Sequence, residues 1–123
     1  TRCHWGFNFS DEKFHNLGIG WDTNTVDLGR YLVTQNPEEI GAFKTPTLRE
    51  IARTAPYMHD GRFATLEVVV NFYNQGGIKN PHLDNSIIPL ELTAEGKRQL
   101  LAFLRSLSGE GWQQIAAPTE FPQ

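Results

Sequence analysis

Two adjacent residues, Cys3 and His4, carry the densest chemistry in the chain. A thiol supplies a nucleophilic sulfur, and an imidazole supplies a metal-binding nitrogen. In the order Thr1-Arg2-Cys3-His4 they match the end of C-x-x-C-H, the attachment signature of a c-type haem. That motif uses two thiols to add across the haem vinyl groups. The neighbouring His then reaches the iron from the same face. Its first Cys would lie one residue before Thr1, so the chain is read as beginning inside the motif. Alone, Cys-His is more readily a chance dipeptide, and the rest of the chain has to separate the two readings.

Further candidates cluster in Tyr57-Met58-His59-Asp60-Gly61-Arg62, a polar turn with three possible iron ligands or contacts. Met58 is the only Met, and His/Met ligation is a common way to raise a haem potential. Core packing is its other use. His59 and Asp60 suit orienting the turn and hydrogen-bonding near a cofactor. His15 could ligate a metal, although a His among aromatic rings more readily makes structural hydrogen bonds. Arg49 could pair with a carboxylate such as a haem propionate, or simply be solvated.

The elements that must position these groups are mostly helical. Residues 5–23 have a loop composition, yet Phe7, Phe9, Phe14 and Trp21 are large rings that need a flat apolar partner or a small core of their own. A short helix is expected over 24–34, and a turn at Pro37-Glu38-Glu39. Residues 43–46 are extended, because the residue before Pro46 is pushed out of the helical region. A short helix over 47–53 follows. Thr65 is a good cap for a helix over 66–74, with Leu66, Val69, Val70 and Tyr73 on one face and Gly76-Gly77 as its stop. Residues 78–92 read as a surface connection. Thr93 caps a closing helix running to about Ser108, with Leu100, Leu101, Phe103, Leu104 and Leu107 as its apolar face. The segment 110–123 reads as an extended tail, and 1–109 as one domain. Strand signal is essentially absent.

At 123 residues the chain is one domain or a large piece of one. A net charge of −3, with no cluster of Lys and Arg, argues against nucleic acid. A single Cys excludes an internal disulfide. No apolar run is long enough to span a bilayer.

Three blocks then point to a family. They are Gly41-Ala42-Phe43-Lys44-Thr45-Pro46-Thr47-Leu48-Arg49, the run Thr54-Ala55-Pro56-Tyr57-Met58-His59-Asp60-Gly61-Arg62-Phe63-Ala64-Thr65-Leu66-Glu67, and the closing Leu92-Thr93-Ala94-Glu95 with Leu101-Ala102-Phe103-Leu104-Arg105-Ser106-Leu107. With Cys3-His4, Asn8-Phe9-Ser10-Asp11 and Phe14-His15-Asn16-Leu17-Gly18 before them, they resemble the C-terminal haem domain of the bacterial di-haem cytochrome c peroxidases and MauG-type enzymes. The similarity runs from Cys3 to about Gly109. Two departures accompany it: the first motif Cys with its preceding helix, and the other haem domain, lie outside the sequence.

The resemblance implies a mostly α, cytochrome-c-like domain carrying haem c in a periplasmic redox enzyme. Its partners would be the missing N-terminal haem domain and a redox protein or protein substrate. The domain would relay electrons or oxidising equivalents between a peroxide-reacting haem and that partner. The alternative is a plain electron-transfer module. The resemblance makes His4 the proximal iron ligand and Cys3 a thioether tether. In the peroxidases the distal Met lies fourteen positions after the His of the turn, and here that position is Tyr73, as in MauG-type enzymes. A phenolate is a hard anionic donor that favours ferric and higher-valent iron. Met58 and His59 stay as alternative distal ligands. The carbonyls of Thr54 and Pro56 resemble two ligands of a calcium ion lying between the family's two domains.

Overall fold

The structure, a computed structural model, describes residues 2–111. Its elements in chain order are strand β1 (Phe14–His15), helix α1 (Tyr31–Thr34), a 3-10 turn (Pro37–Glu39), strand β2 (Phe43–Lys44), a second 3-10 turn (Ile51–Arg53), helix α2 (Leu66–Gln75) and helix α3 (Ala94–Ser106). The two long helices carry most of the regular structure. Long connections wrap them.

Both long helices start where their caps dictate. The Thr65 hydroxyl accepts from the Val68 N–H, and the Thr93 hydroxyl accepts from the Gly96 N–H, so each satisfies a donor the first turn leaves open. Helix α2 ends at Gly76, whose φ of 83° is the left-handed conformation a C-cap requires. A Cβ there would also meet the ring of Pro89.

Two expected helices shrink. Over 24–34 only Tyr31–Thr34 is helical. The Asp27 carboxylate captures the Gly29 N–H, and Gly29 bridges to Ala42, so side-chain and sheet-like bonds take over from the helix ladder. Over 47–53 only Ile51–Arg53 forms a turn of 3-10 helix. The Thr47 hydroxyl accepts from the Arg49 N–H, and Glu50 adopts a φ of 60°. The strand expectation also needs correcting. β1 and β2 pair antiparallel, with Phe14 opposite Lys44 and His15 opposite Phe43. Two residues per strand are too few to leave a period in the sequence. The tail over 112–123 lies outside the described residues.

The core sits where α2 and α3 meet the turn at 57–63. Tyr57, Leu66, Val70 and Leu104 are buried together, with Leu48, Ile51, Phe63, Leu100 and Leu101 packed around them. The Tyr57 hydroxyl donates to the Ile51 carbonyl at 2.9 Å. This core is thin: among the described residues no side chain is under 2% exposed. No helix among them is long and apolar enough to cross a membrane.

Candidate haem site

The loop after Cys3-His4 folds back on itself. Asp11 N–H donates to the Cys3 carbonyl at 2.8 Å, and Ser10 N–H to the Trp5 carbonyl at 3.1 Å. Inside this loop His4 Nδ1 lies 3.0 Å from the Phe9 carbonyl. A carbonyl only accepts, so Nδ1 carries a proton, and the neutral ring in this tautomer has its lone pair on Nε2. This is the arrangement in which metal-binding imidazoles are oriented by their second nitrogen.

Arg49 braces the same loop. Its guanidinium donates to the Phe7 carbonyl and lies 4.7 Å from the Phe7 ring centroid and 5.5 Å from that of Phe9. The Phe9 ring meets Phe103 of α3 edge to face at 6.3 Å. Phe14 lies under Arg30, and Trp21 lies near His82. Phe7 and Phe9 share Arg49 while Phe14 and Trp21 face other neighbours, so no ring contact among the four builds a common core. Trp5 and Phe7 are 59% and 89% exposed.

Tyr73 comes from α2 and is close enough to Cys3 to sense charge on its sulfur. Burial pushes the Tyr73 hydroxyl up to about 12, and negative charge at Cys3 adds to the shift. A phenolate there needs a cationic partner to offset its lost hydration. Burial likewise raises the Cys3 thiol, and a contact with the Ser86 hydroxyl at 3.9 Å partly offsets this.

The structure thus brings Tyr73 within electrostatic range of Cys3, the chain neighbour of His4. Met58 and His59 lie on the 57–63 turn, closed by reciprocal bonds between Tyr57 and Phe63. Met58 is partly buried at a φ of 72°. The His59 ring stacks on Phe43 at 3.4 Å with its Nε2 3.1 Å from an Asp27 oxygen. Asp60 instead pairs with Arg62, which also grips Asp22 through both carboxylate oxygens at 2.9 Å. Thr54 and Pro56 lie on an exposed stretch. His15 is held between two carboxylates, Asp11 at 2.9 Å and Asp84 at 2.6 Å, so the hydrogen-bonding use of this His is the one realised. Composition gave no hint of Asp84, because a separation of 69 positions between the partners erases any spacing signal.

The residues present fit a covalently tethered haem. Cys3 is free of any disulfide, His4 is oriented with one nitrogen open, and a phenol stands nearby. The thin core with exposed rings along the Cys3 loop suits a large apolar group completing the packing.

Most of the regular structure around these residues is helical. No family model matches the chain. It is 47% identical over 143 aligned positions to the cytochrome-c peroxidase IdrP2 of Denitromonas iodatirespirans, covering 95% of this chain and 38% of that protein. It is 37% identical over 108 positions to the methylamine utilization protein MauG of Methylorubrum extorquens, covering 88% and 30%. A solved MauG-like protein associated with microbial copper homeostasis superposes with a TM-score of 0.77 at 35% identity, over 89% of this chain and 42% of that one. The chain belongs to the di-haem cytochrome c peroxidase and MauG family. It spans about a third of the length of the curated relatives it matches.

Proposed function

We propose that this chain is the haem c domain of a periplasmic di-haem peroxidase, of the MauG-like variant. It would relay electrons or oxidising equivalents between a peroxide-reacting haem elsewhere in the parent enzyme and a partner protein. The observation that carries the reading is the 3.0 Å contact between His4 Nδ1 and the Phe9 carbonyl, which leaves Nε2 as the donor beside a free thiol. When bound, the haem supplies one-electron redox chemistry at its iron.

The chain's own residues do the rest. Cys3 would tether the haem, and His4 would hold its iron through Nε2. Tyr73 would be a further iron ligand as phenolate, since a cationic iron would offset the solvation that burial removes. Such a ligand would stabilise oxidised iron, which suits an oxidase of a protein substrate better than a simple electron carrier. Met58 and His59 stand as the alternative distal ligands. Arg49 holds the Phe7–Phe9 segment and has further N–H groups for a haem carboxylate. The carbonyls of Thr54 and Pro56, on their exposed stretch, would serve a calcium ion completed by the remainder of the parent.

Visible spectra of the haem-loaded parent enzyme, ferric and ferrous, test this. Covalent haem c with a tyrosinate signature is expected. A sulfur-to-iron charge-transfer band would transfer the distal role to Met58, and no Soret absorption at all would end the reading. Peroxide consumption by the parent separates the enzyme from a plain electron-transfer module, which would show none.

A further inference from the structure

His15 sits in a position that haem ligation does not use. Its Nε2 is 2.9 Å from an Asp11 oxygen and its Nδ1 is 2.6 Å from an Asp84 oxygen. Carboxylate oxygens only accept, so both ring nitrogens must donate, and a ring that donates twice is the imidazolium. The three side chains are mostly shielded, at 17%, 5% and 27% exposure for His15, Asp11 and Asp84. Both carboxyls are held below their ordinary range, Asp11 at about 2. Burial works against the charged His15, yet its bonds to Asp84 and Asp11 outweigh that and raise it.

This triad is wired to Cys3 from both ends. The Asp11 N–H donates to the Cys3 carbonyl at 2.8 Å. Asp84 accepts from the Ser86 N–H at 2.7 Å, and the Ser86 hydroxyl contacts the Cys3 sulfur at 3.9 Å. A His15 nitrogen, an Asp11 oxygen and the Cys3 sulfur all lie within 4.8 Å of one another. The charged groups felt at Cys3 are Asp11, Asp84 and, with opposite sign, Arg2. Two carboxylates and one imidazolium leave the triad at a net −1.

We propose that His15 is a positioning residue for the haem tether, an imidazolium that fixes the Cys3 loop against the 84–86 segment and sets the charge beside the haem at −1 instead of −2. The inference rests on Cys3 being the tether. It requires a charge-dependent reduction potential for this haem. In His15→Gln the triad becomes −2, ferric iron gains, and the potential falls. In Asp84→Asn the triad becomes neutral, and the potential rises. Looser packing that admits water to the haem edge would lower the potential in both variants.

The experiment is a spectroelectrochemical titration of this haem in the parent enzyme and the two variants, carrying covalent haem. Opposite shifts, down for His15→Gln and up for Asp84→Asn, are the expected result. Shifts in one direction, or none, overturn the proposal while leaving the haem assignment intact. Absence of any Soret band would instead remove the reading it stands on. Should His15→Gln fail to assemble, Asp84→Asn decides alone, since a potential that falls or holds is incompatible with the charge setting.

Discussion

His4 Nδ1 lies 3.0 Å from the carbonyl oxygen of Phe9, five residues further on. The His4 imidazole is therefore oriented by backbone within its own loop, with no side chain required. His4→Gly in the haem-loaded parent should keep the porphyrin covalently attached while losing the proximal nitrogen. Millimolar imidazole should restore the native visible spectrum. An unchanged spectrum in the variant would place the proximal ligand elsewhere.

Tyr73→Phe removes the phenol oxygen and keeps the ring that meets Phe72 edge to face at 5.6 Å. The reduction potential of this haem should rise, because a hard anionic donor no longer favours the ferric state. Met58→Leu should leave potential and spectrum as they are. The reverse pattern in paired redox titrations would exchange the two roles.

The caps make a stability test independent of haem chemistry. Thr93→Ala leaves the Gly96 N–H without its 3.1 Å acceptor and should cost about 1 kcal/mol. Thr65→Ala should cost a similar amount at the head of α2. Urea unfolding of the parent, followed by far-ultraviolet circular dichroism, reads both.

Leu104 faces Tyr57, Leu66 and Val70 and is 8% exposed. Leu104→Ala should destabilise by about 2–5 kcal/mol, a lost transfer term plus a cavity. Val33 is 82% exposed, and Val33→Ala should change stability by less than about 0.5 kcal/mol. Equal effects in thermal melts would mean that another part of the parent covers α1.

Asp11 supplies a pH limb. Burial alone would raise its carboxyl, but hydrogen bonds from the Lys13 N–H, His15 and Thr45 lower it from 3.8 to about 2. A depressed carboxyl favours the folded state above its unfolded value. That contribution fades as pH falls through the folded value. Urea midpoints should therefore drop between about pH 4 and about pH 2, and Asp11→Asn should flatten that drop while lowering stability at neutral pH.

Much of this protein was readable before any coordinates. Thr65, Gly76 and Thr93 fixed the ends of α2 and α3, because capping is a local contest among neighbouring backbone groups. Cys3 with His4 read alone as a chance pair, and the haem expectation for them, like that for Tyr73, came from the family resemblance of the blocks that follow. Tertiary structure decided the rest. The Asp27 and Thr47 side chains unmade two expected helices by capturing backbone N–H groups, and β1 found β2 across 27 intervening residues. The charge on His15 depends on Asp84, a partner 69 positions away. Local bonds leave a mark in sequence because their partners are near neighbours along the chain; long-range pairs leave none until folding closes the loop between them.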